Sequence, residues 1–205
     1  MGFCLLFPVI SCFNLRMANW NLAIFNLIHG WSGRFVFVDV LGIFFAEYLP
    51  YLLVLGFLIL VFQQSGARRK FYFFAEGALA IILSRGIVTE VIRFFYKVAR
   101  PFALLGFSPL IAESGSSFPS GHMAWFFALA TAIWFTNRKW GLWYFMLSAV
   151  MGVARIYVGV HWPLDILCGA VVGILSAWFV HWLQKDTRAV LWRTDVEKKL
   201  TSQVP

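Results

Sequence analysis

The sequence predicts an all-α, polytopic membrane helix bundle of five or six spans. Three observations lead there. Of 205 residues, 61% are apolar and only 13% charged, with a mean hydropathy of +0.78, a composition that excludes an ordinary water-soluble domain. The length suits one bundle, because each span needs roughly 20 apolar residues and no stretch is polar enough to form a separate soluble domain. Six of the ten tryptophans, Trp20, Trp31, Trp140, Trp143, Trp162 and Trp182, fall at predicted helix ends, as an aromatic belt at the bilayer boundary requires.

The net charge of +8 and pI of about 9.8 would raise nucleic acid as a partner for a soluble protein. Here the basic residues fall mostly in short loops and the tail, which membrane topology explains without a nucleic-acid patch. Cys4, Cys12 and Cys168 are scattered among apolar neighbours with no C-x-x-C spacing, so neither a disulfide nor a metal site is expected.

Taken in order, the chain divides into an N-terminal segment (1–48), a membrane-embedded domain (49–185) and a polar tail (186–205). Met1 to Leu15 is apolar but short and lacks a basic residue before its apolar run, so it fits a signal peptide poorly. It reads as a short first span, a surface-lying segment, or an extension upstream of a start at Met17. Asn19 to His29 places Leu22, Ile24, Phe25 and Ile28 between polar residues, the spacing of an amphipathic surface helix. From Phe35 to Phe62 the sequence is strongly apolar but carries Asp39, Glu47 and Pro50; it reads as a tilted or surface helix up to about Glu47 and a span from about Leu49 to Phe62.

After a basic loop (Arg68, Arg69, Lys70), a helix from about Phe71 to Phe95 carries Glu76, Arg85 and Glu90. Charges at membrane depth are costly unless paired, so Arg85 and Glu90 are expected to face the bundle interior. A long loop follows, from Phe94 to Ser117. Gly121 to Phe135, Gly141 to Val158 and Pro163 to Leu183 are the remaining spans. The loops at 63–70 and 137–140 and the tail share one face with ten Lys or Arg. The loops at 94–117 and 153–162 share the other with Lys97, Arg100 and Arg155. The positive-inside rule makes the first face, and the C-terminal tail, cytoplasmic.

Three polar clusters then fall on the outer face. Arg93 and Arg100 lie two helical turns apart, too far along a straight helix to share one phosphate. Pro101 ends the helix at Arg100 and lets the chain fold back, so that both guanidiniums can grip phosphate oxygens. Phe118-Pro119-Ser120-Gly121-His122 stands where the loop becomes a helix. Ser120 suits an N-cap, Gly121 lets an anion approach the helix N–H groups, and His122 lies in the first turn. In the third cluster, Arg155 is followed by His161 and Asp165, and Pro163 suits the start of the last helix. A carboxylate reaching back to His161 would fix its tautomer and free the other nitrogen for attack. Each cluster alone is also what an interfacial arginine or a capped helix end presents. Three on one face of one bundle point to a single phosphate-handling site.

These motifs, Arg93-x6-Arg100-Pro101, Pro119-Ser120-Gly121-His122 and Ala154-Arg155-x5-His161-x3-Asp165, resemble in order those of the type 2 phosphatidic acid phosphatase superfamily, which is related in fold to the vanadium haloperoxidases. The resemblance covers roughly residues 50–185. Arg93 replaces the family's Lys and keeps its charge; Ala154 replaces a Ser and removes one hydroxyl. The resemblance implies that His161 attacks phosphorus, Asp165 orients it, and His122 protonates the leaving group and later activates water. Arg93, Arg100, Arg155, Ser120 and the Gly121 N–H would hold the phosphoryl oxygens, with Lys97 and Pro119 as secondary contacts. Asp165 is the only acid within the motifs, so no metal and no cofactor is expected.

The implied activity is that of a bacterial inner-membrane lipid phosphatase with its site on the periplasmic side, and no obligate protein partner is inferred. The runs Asn19-Trp20-Asn21-Leu22 and Ala46-Glu47-Tyr48 resemble the undecaprenyl diphosphatase group, making undecaprenyl diphosphate the expected substrate. Phosphatidylglycerophosphate, phosphatidic acid and lipid A are the alternatives, and a non-catalytic lipid-binding or transport protein is the competing class.

Overall fold

The computed structural model describes residues 19–185 and is helical throughout, with no strand among the described residues. The readings placed on residues 1–18 and 186–205 lie outside the described residues. Helix α1 is Asn19–His29, and α2 is Val36–Phe62. Ala67–Ile81, the π-helical Ile82–Val88 and Thr89–Phe95 follow one another without a break as α3. The short α4 is Pro101–Leu105, and α5, α6 and α7 are Gly121–Thr136, Arg138–Tyr157 and Pro163–Leu183.

The expected break before Leu49 is absent. Pro50 occupies the first turn after a π-helical segment, Phe44–Tyr48, where the wider backbone spacing absorbs a residue without an intrahelical N–H. Val36–Phe62 is therefore one continuous helix, and with Pro163–Leu183 it is long and apolar enough to cross a membrane. The faces turned away from the bundle are apolar too: Leu52, Leu55 and Ile59 on α2 and Leu167, Val171 and Trp178 on α7 are exposed, as lipid-facing side chains would be.

Helix α5 forms the middle of the bundle, packed by α7, α6 and α3. Its sequence is apolar all round, as a helix enclosed by others must be, and Met123, Ala124, Leu129 and Ile133 are wholly buried. Small residues let its neighbours approach closely. Ala80 of α3, Ala128 of α5 and Ala177 of α7 meet in one cluster, and at Gly173 a Cβ would lie 2.8 Å from the Ala128 nitrogen. The joint between α5 and α6 is a single residue, Asn137, whose side chain accepts from the Trp140 N–H at 3.2 Å.

Charges buried along the bundle are paired. Glu76 is only 3% exposed and meets His181 Nδ1 at 2.8 Å, with Phe135 stacked on the His181 ring. Those contacts gather the start of α3 and the ends of α5 and α7 at one end of the bundle. The ends of α3 and α6 and the starts of α5 and α7 meet at the opposite end. Arg85 and Glu90 pair with each other, but the expectation that both face the bundle interior is not met: Glu90 is half exposed. Asp39 accepts from the Gly33 N–H at 3.0 Å and the Tyr157 hydroxyl at 2.6 Å, which ties the start of α2 to the end of α6.

The close crossing of α5 and α7 is directly testable. Gly173→Ala is expected to cost about 1–3 kcal/mol through overpacking, read as a lower thermal unfolding midpoint in detergent. Gly86→Ala, where an added methyl meets nothing within 4 Å, is expected to leave that midpoint unchanged or raise it.

Candidate active site

Helix α6 stops at Tyr157, and Gly159, at φ +86°, turns the chain so that the Val160 N–H returns to the Arg155 carbonyl at 3.2 Å. Pro163 begins α7, and Asp165 caps its start by accepting from the Trp162 N–H at 3.0 Å. The same oxygen, Oδ2, lies 3.5 Å from His161 Nδ1 and also accepts from the Ser117 hydroxyl. Ser117 Oγ is itself 3.4 Å from His161 Nδ1. The imidazole is thus held on its Nδ1 side by two polar partners in a site where His161 is 1% exposed. Burial pushes its pKa down to about 4 against the pull of Asp165, so the ring is neutral at physiological pH.

The second cluster is joined to the third through the backbone. The Phe118–Pro119 peptide is cis, and the Ser120 N–H donates to the Asp165 carbonyl at 3.0 Å. Ser120 stands at the N-cap of α5 as expected, yet its hydroxyl caps nothing: Oγ is buried without a partner. The reason for Gly121 also differs from the one expected. The space its Cβ would fill is occupied by Arg85, with Cδ 2.8 Å and Cζ 3.1 Å from that position. His122, in the first turn, lines a cavity of about 330 Å³ together with Arg155.

In the first cluster, the two arginines are brought together by a different route from the one Pro101 predicts. Helix α3 ends at Phe95, where Tyr96 leaves helical geometry (φ −125°, ψ 81°), and Pro101 opens α4 instead of closing α3. Arg93 Nη2 donates to the Pro119 carbonyl at 3.0 Å, and its Nη1 lies 3.6 Å from Glu90. Arg100 is 3% exposed and is heavily occupied within the protein. It donates to the carbonyls of Gly115 (3.2 Å), Ser114 (2.9 Å) and Val160 (3.0 Å), the last immediately before His161. Burial lowers its pKa to about 10, still well above physiological pH. Lys97 lies apart from His122, beside a separate cavity of about 780 Å³ shared with Glu90, Arg93 and Ser116.

Three participants lie outside the motifs, and of these only Glu47 stands out in the sequence, in the run Ala46-Glu47-Tyr48. Ser117 was only a loop residue before Pro119. Glu47 lies beside the His122 cavity at the π-helical turn of α2. Glu113 places one carboxylate oxygen 3.3 Å from Arg100 Nη2 and the other 2.8 Å from Arg155 Nη2. Burial works to raise its pKa, but the two guanidiniums outweigh that and hold it below the usual carboxylate range. The one signal in the sequence was an acid inside a loop whose other charges are basic. The three clusters are linked by Arg93 on the Pro119 carbonyl, by the Ser120 N–H on the Asp165 carbonyl and by Arg100 on the Val160 carbonyl beside His161. Of the five buried side-chain donors without a partner among the described residues, Arg93 Nε, Ser120 Oγ and Arg155 Nε come one from each cluster, and the other two are Trp125 Nε1 and Ser148 Oγ; such donors are costly to leave unmade.

Residues 75–189, which contain all three clusters, match the PAP2 superfamily. The chain belongs to the PAP2 superfamily. It is accordingly a hydrolase of the phosphatase class. The chain is 31% identical to a Bacillus licheniformis protein named bacitracin transport permease protein BcrC, over 82% of each chain. It is 32% identical to the undecaprenyl-diphosphatase BcrC of Bacillus subtilis, over 76% of this chain and 79% of that one. The crystal structure of Aquifex aeolicus LpxE superposes with a TM-score of 0.66 at 29% identity, covering 78% of this chain and 94% of LpxE.

Two outcomes test this geometry. Arg100→Ala strips donors from three carbonyls and one carboxylate, and is expected to cost about 3–5 kcal/mol of stability, as for a broken buried ion pair, measured by thermal unfolding. Because the His161 pKa is lower folded than unfolded, the unfolded chain binds more protons between about pH 4 and 6.5. Stability is expected to fall as pH drops through that window, and His161→Gln to lose less over it.

Proposed function

We propose that this PAP2 phosphatase hydrolyses undecaprenyl diphosphate to undecaprenyl phosphate and inorganic phosphate, without a metal, through a phosphohistidine on His161. The observation that carries the reading is the set of orphaned buried donors on Arg93, Ser120 and Arg155 beside a neutral His161. A phosphoryl group, with several acceptor oxygens and developing charge, is the ligand that such donors stabilise most in the transition state.

The steps balance as follows. With Nδ1 held by Asp165 and Ser117, the Nε2 lone pair of His161 attacks the terminal phosphorus. The bond from phosphorus to the bridging oxygen breaks, and His122 gives its proton to the departing lipid phosphate. Water then attacks the phosphohistidine, His122 takes the proton, the P–N bond breaks and phosphate leaves. Arg93, Arg100, Arg155, Ser120 and the Gly121 N–H hold the phosphoryl oxygens. His122 lines a cavity whose other walls include Pro50, Val54, Trp125 and Phe126, an apolar route for a lipid leaving group between α2 and α5.

In this reading α2, α3, α5, α6 and α7 cross the bacterial inner membrane. The three clusters lie on the periplasmic side and the tail on the cytoplasmic side, as the distribution of basic loops requires. The name of the Bacillus subtilis relative supports the diphosphate substrate, and the match to LpxE supports a lipid phosphate more generally. The permease name of the other relative favours a transport reading, which leaves the oriented His161 and the placement of His122 without a purpose.

The test is phosphate release by the detergent-purified protein in EDTA, from undecaprenyl diphosphate and phosphatidylglycerophosphate side by side. Release from the diphosphate is expected to dominate, and His161→Ala to reduce it by at least about 10³-fold with folding retained, as loss of a nucleophile does. Turnover undiminished in that variant would overturn the phosphohistidine, and preference for the other lipid would reassign the substrate.

A further inference from the structure

The cradle that would hold a phosphoryl group already holds an anion. Glu113 spreads its two carboxylate oxygens over two guanidiniums, 3.3 Å from Arg100 and 2.8 Å from Arg155, as two oxygens of one phosphate would. The arginine side chains are 3% and 2% exposed, whereas Glu113 is 25% exposed and lines the same cavity as His122. The carboxylate therefore closes the cradle from the accessible side. Without it, the Arg155 guanidinium would face the cavity with no counter-charge and Arg100 would keep only carbonyl acceptors, an arrangement more costly than the paired one.

Its tether allows movement. The loop is fastened before Glu113 by the Leu110 N–H on the Val158 carbonyl, and after it by the Ser114 and Gly115 carbonyls on Arg100. Among the described contacts Glu113 itself is held only by the two ion pairs, so rotation of its side chain is enough to vacate the cradle without unfastening the loop.

We infer that Glu113 is an internal stand-in for the substrate phosphate: it neutralises Arg100 and Arg155 in the free protein and must be displaced by the incoming phosphoryl group. This rests on the phosphatase reading of the site. The exchange sets a threshold for ligands. A phosphoryl group carrying two charges outcompetes a single carboxylate, whereas a singly charged phosphodiester or carboxylate gains nothing by the exchange, so Glu113 discriminates for terminal phosphates and against diesters.

Direct calorimetric titration of the detergent-solubilised protein with inorganic phosphate tests this without turnover. In Glu113→Gln the competitor charge is gone, and the phosphate Kd is expected to fall about tenfold or more, equivalent to about 1.4 kcal/mol. KM for the lipid substrate is expected to fall with it. In Glu113→Asp, which keeps the charge on a shorter arm, the fall in Kd is expected to be smaller. A Kd unchanged or raised in both variants would overturn the inference and make Glu113 a brace for the arginines.

Should neither variant fold, a structure of the wild-type protein with bound tungstate decides. Glu113 more than 4 Å from both guanidiniums supports the exchange; a carboxylate still bridging them overturns it. Phosphate binding that tightens in Glu113→Gln, in a protein that releases phosphate from no lipid, would sink the proposed reaction while leaving the exchange intact.

Discussion

Two guanidiniums held out of water at one end of an apolar bundle are the constraint from which the rest of the site follows. Arg155 is 1% exposed and Arg100 3%, in a protein whose interior offers few acceptors. Each must find oxygens or forfeit several kcal/mol. Arg100 finds them in the carbonyls of the loop before α5 and in the residue preceding His161; Arg155 finds the Ala46 carbonyl at 3.2 Å, at the π-helical turn of α2, and Glu113. Satisfying two charges therefore fastens α2, the 106–120 loop and the His161 turn to one another. Among the donors left over, Arg93 Nε, Ser120 Oγ and Arg155 Nε belong one to each of the three motif clusters.

Asp165 does for the imidazole what those carbonyls do for the arginines. Its carboxylate caps α7, receives Ser117 and orients His161, while its backbone carbonyl accepts the Ser120 N–H that begins α5. One residue thereby couples the start of two helices to the position of a reactive nitrogen. The coupling works because α5 and α7 approach closely at Gly169 and Gly173, where the space of a Cβ is already taken by the backbone of α5. Small residues deep in the bundle and the site at its end are parts of one arrangement.

Much of this was legible in the chain itself. His161 and Asp165, four residues apart at a helix start marked by Pro163, announce a carboxylate against an imidazole, and the structure places them 3.5 Å apart. Ser120 at the head of α5 was legible as an N-cap position, but not that its hydroxyl would be spared from capping. The helix end near Phe95 is legible, but Pro101, expected to end a helix at Arg100, opens α4 instead, because a proline suits the first turn of a following helix as well as the residue after a preceding one. The continuity of α2 through Glu47 and Pro50 is not legible in the sequence, because a π-helical turn leaves no mark in hydropathy.

Hydropathy, loop charge and local spacing are properties of neighbouring residues, so the apolar helical character, the three motifs and their shared end can be read along the chain. Which charges meet is set by the packing of distant segments. Glu113 is 13 residues from Arg100 and 42 from Arg155, and Arg85 reaches Gly121 across two helices. Nothing local encodes such pairs. They arise because a medium without water forces each buried charge to take whatever counter-charge the packing brings within reach.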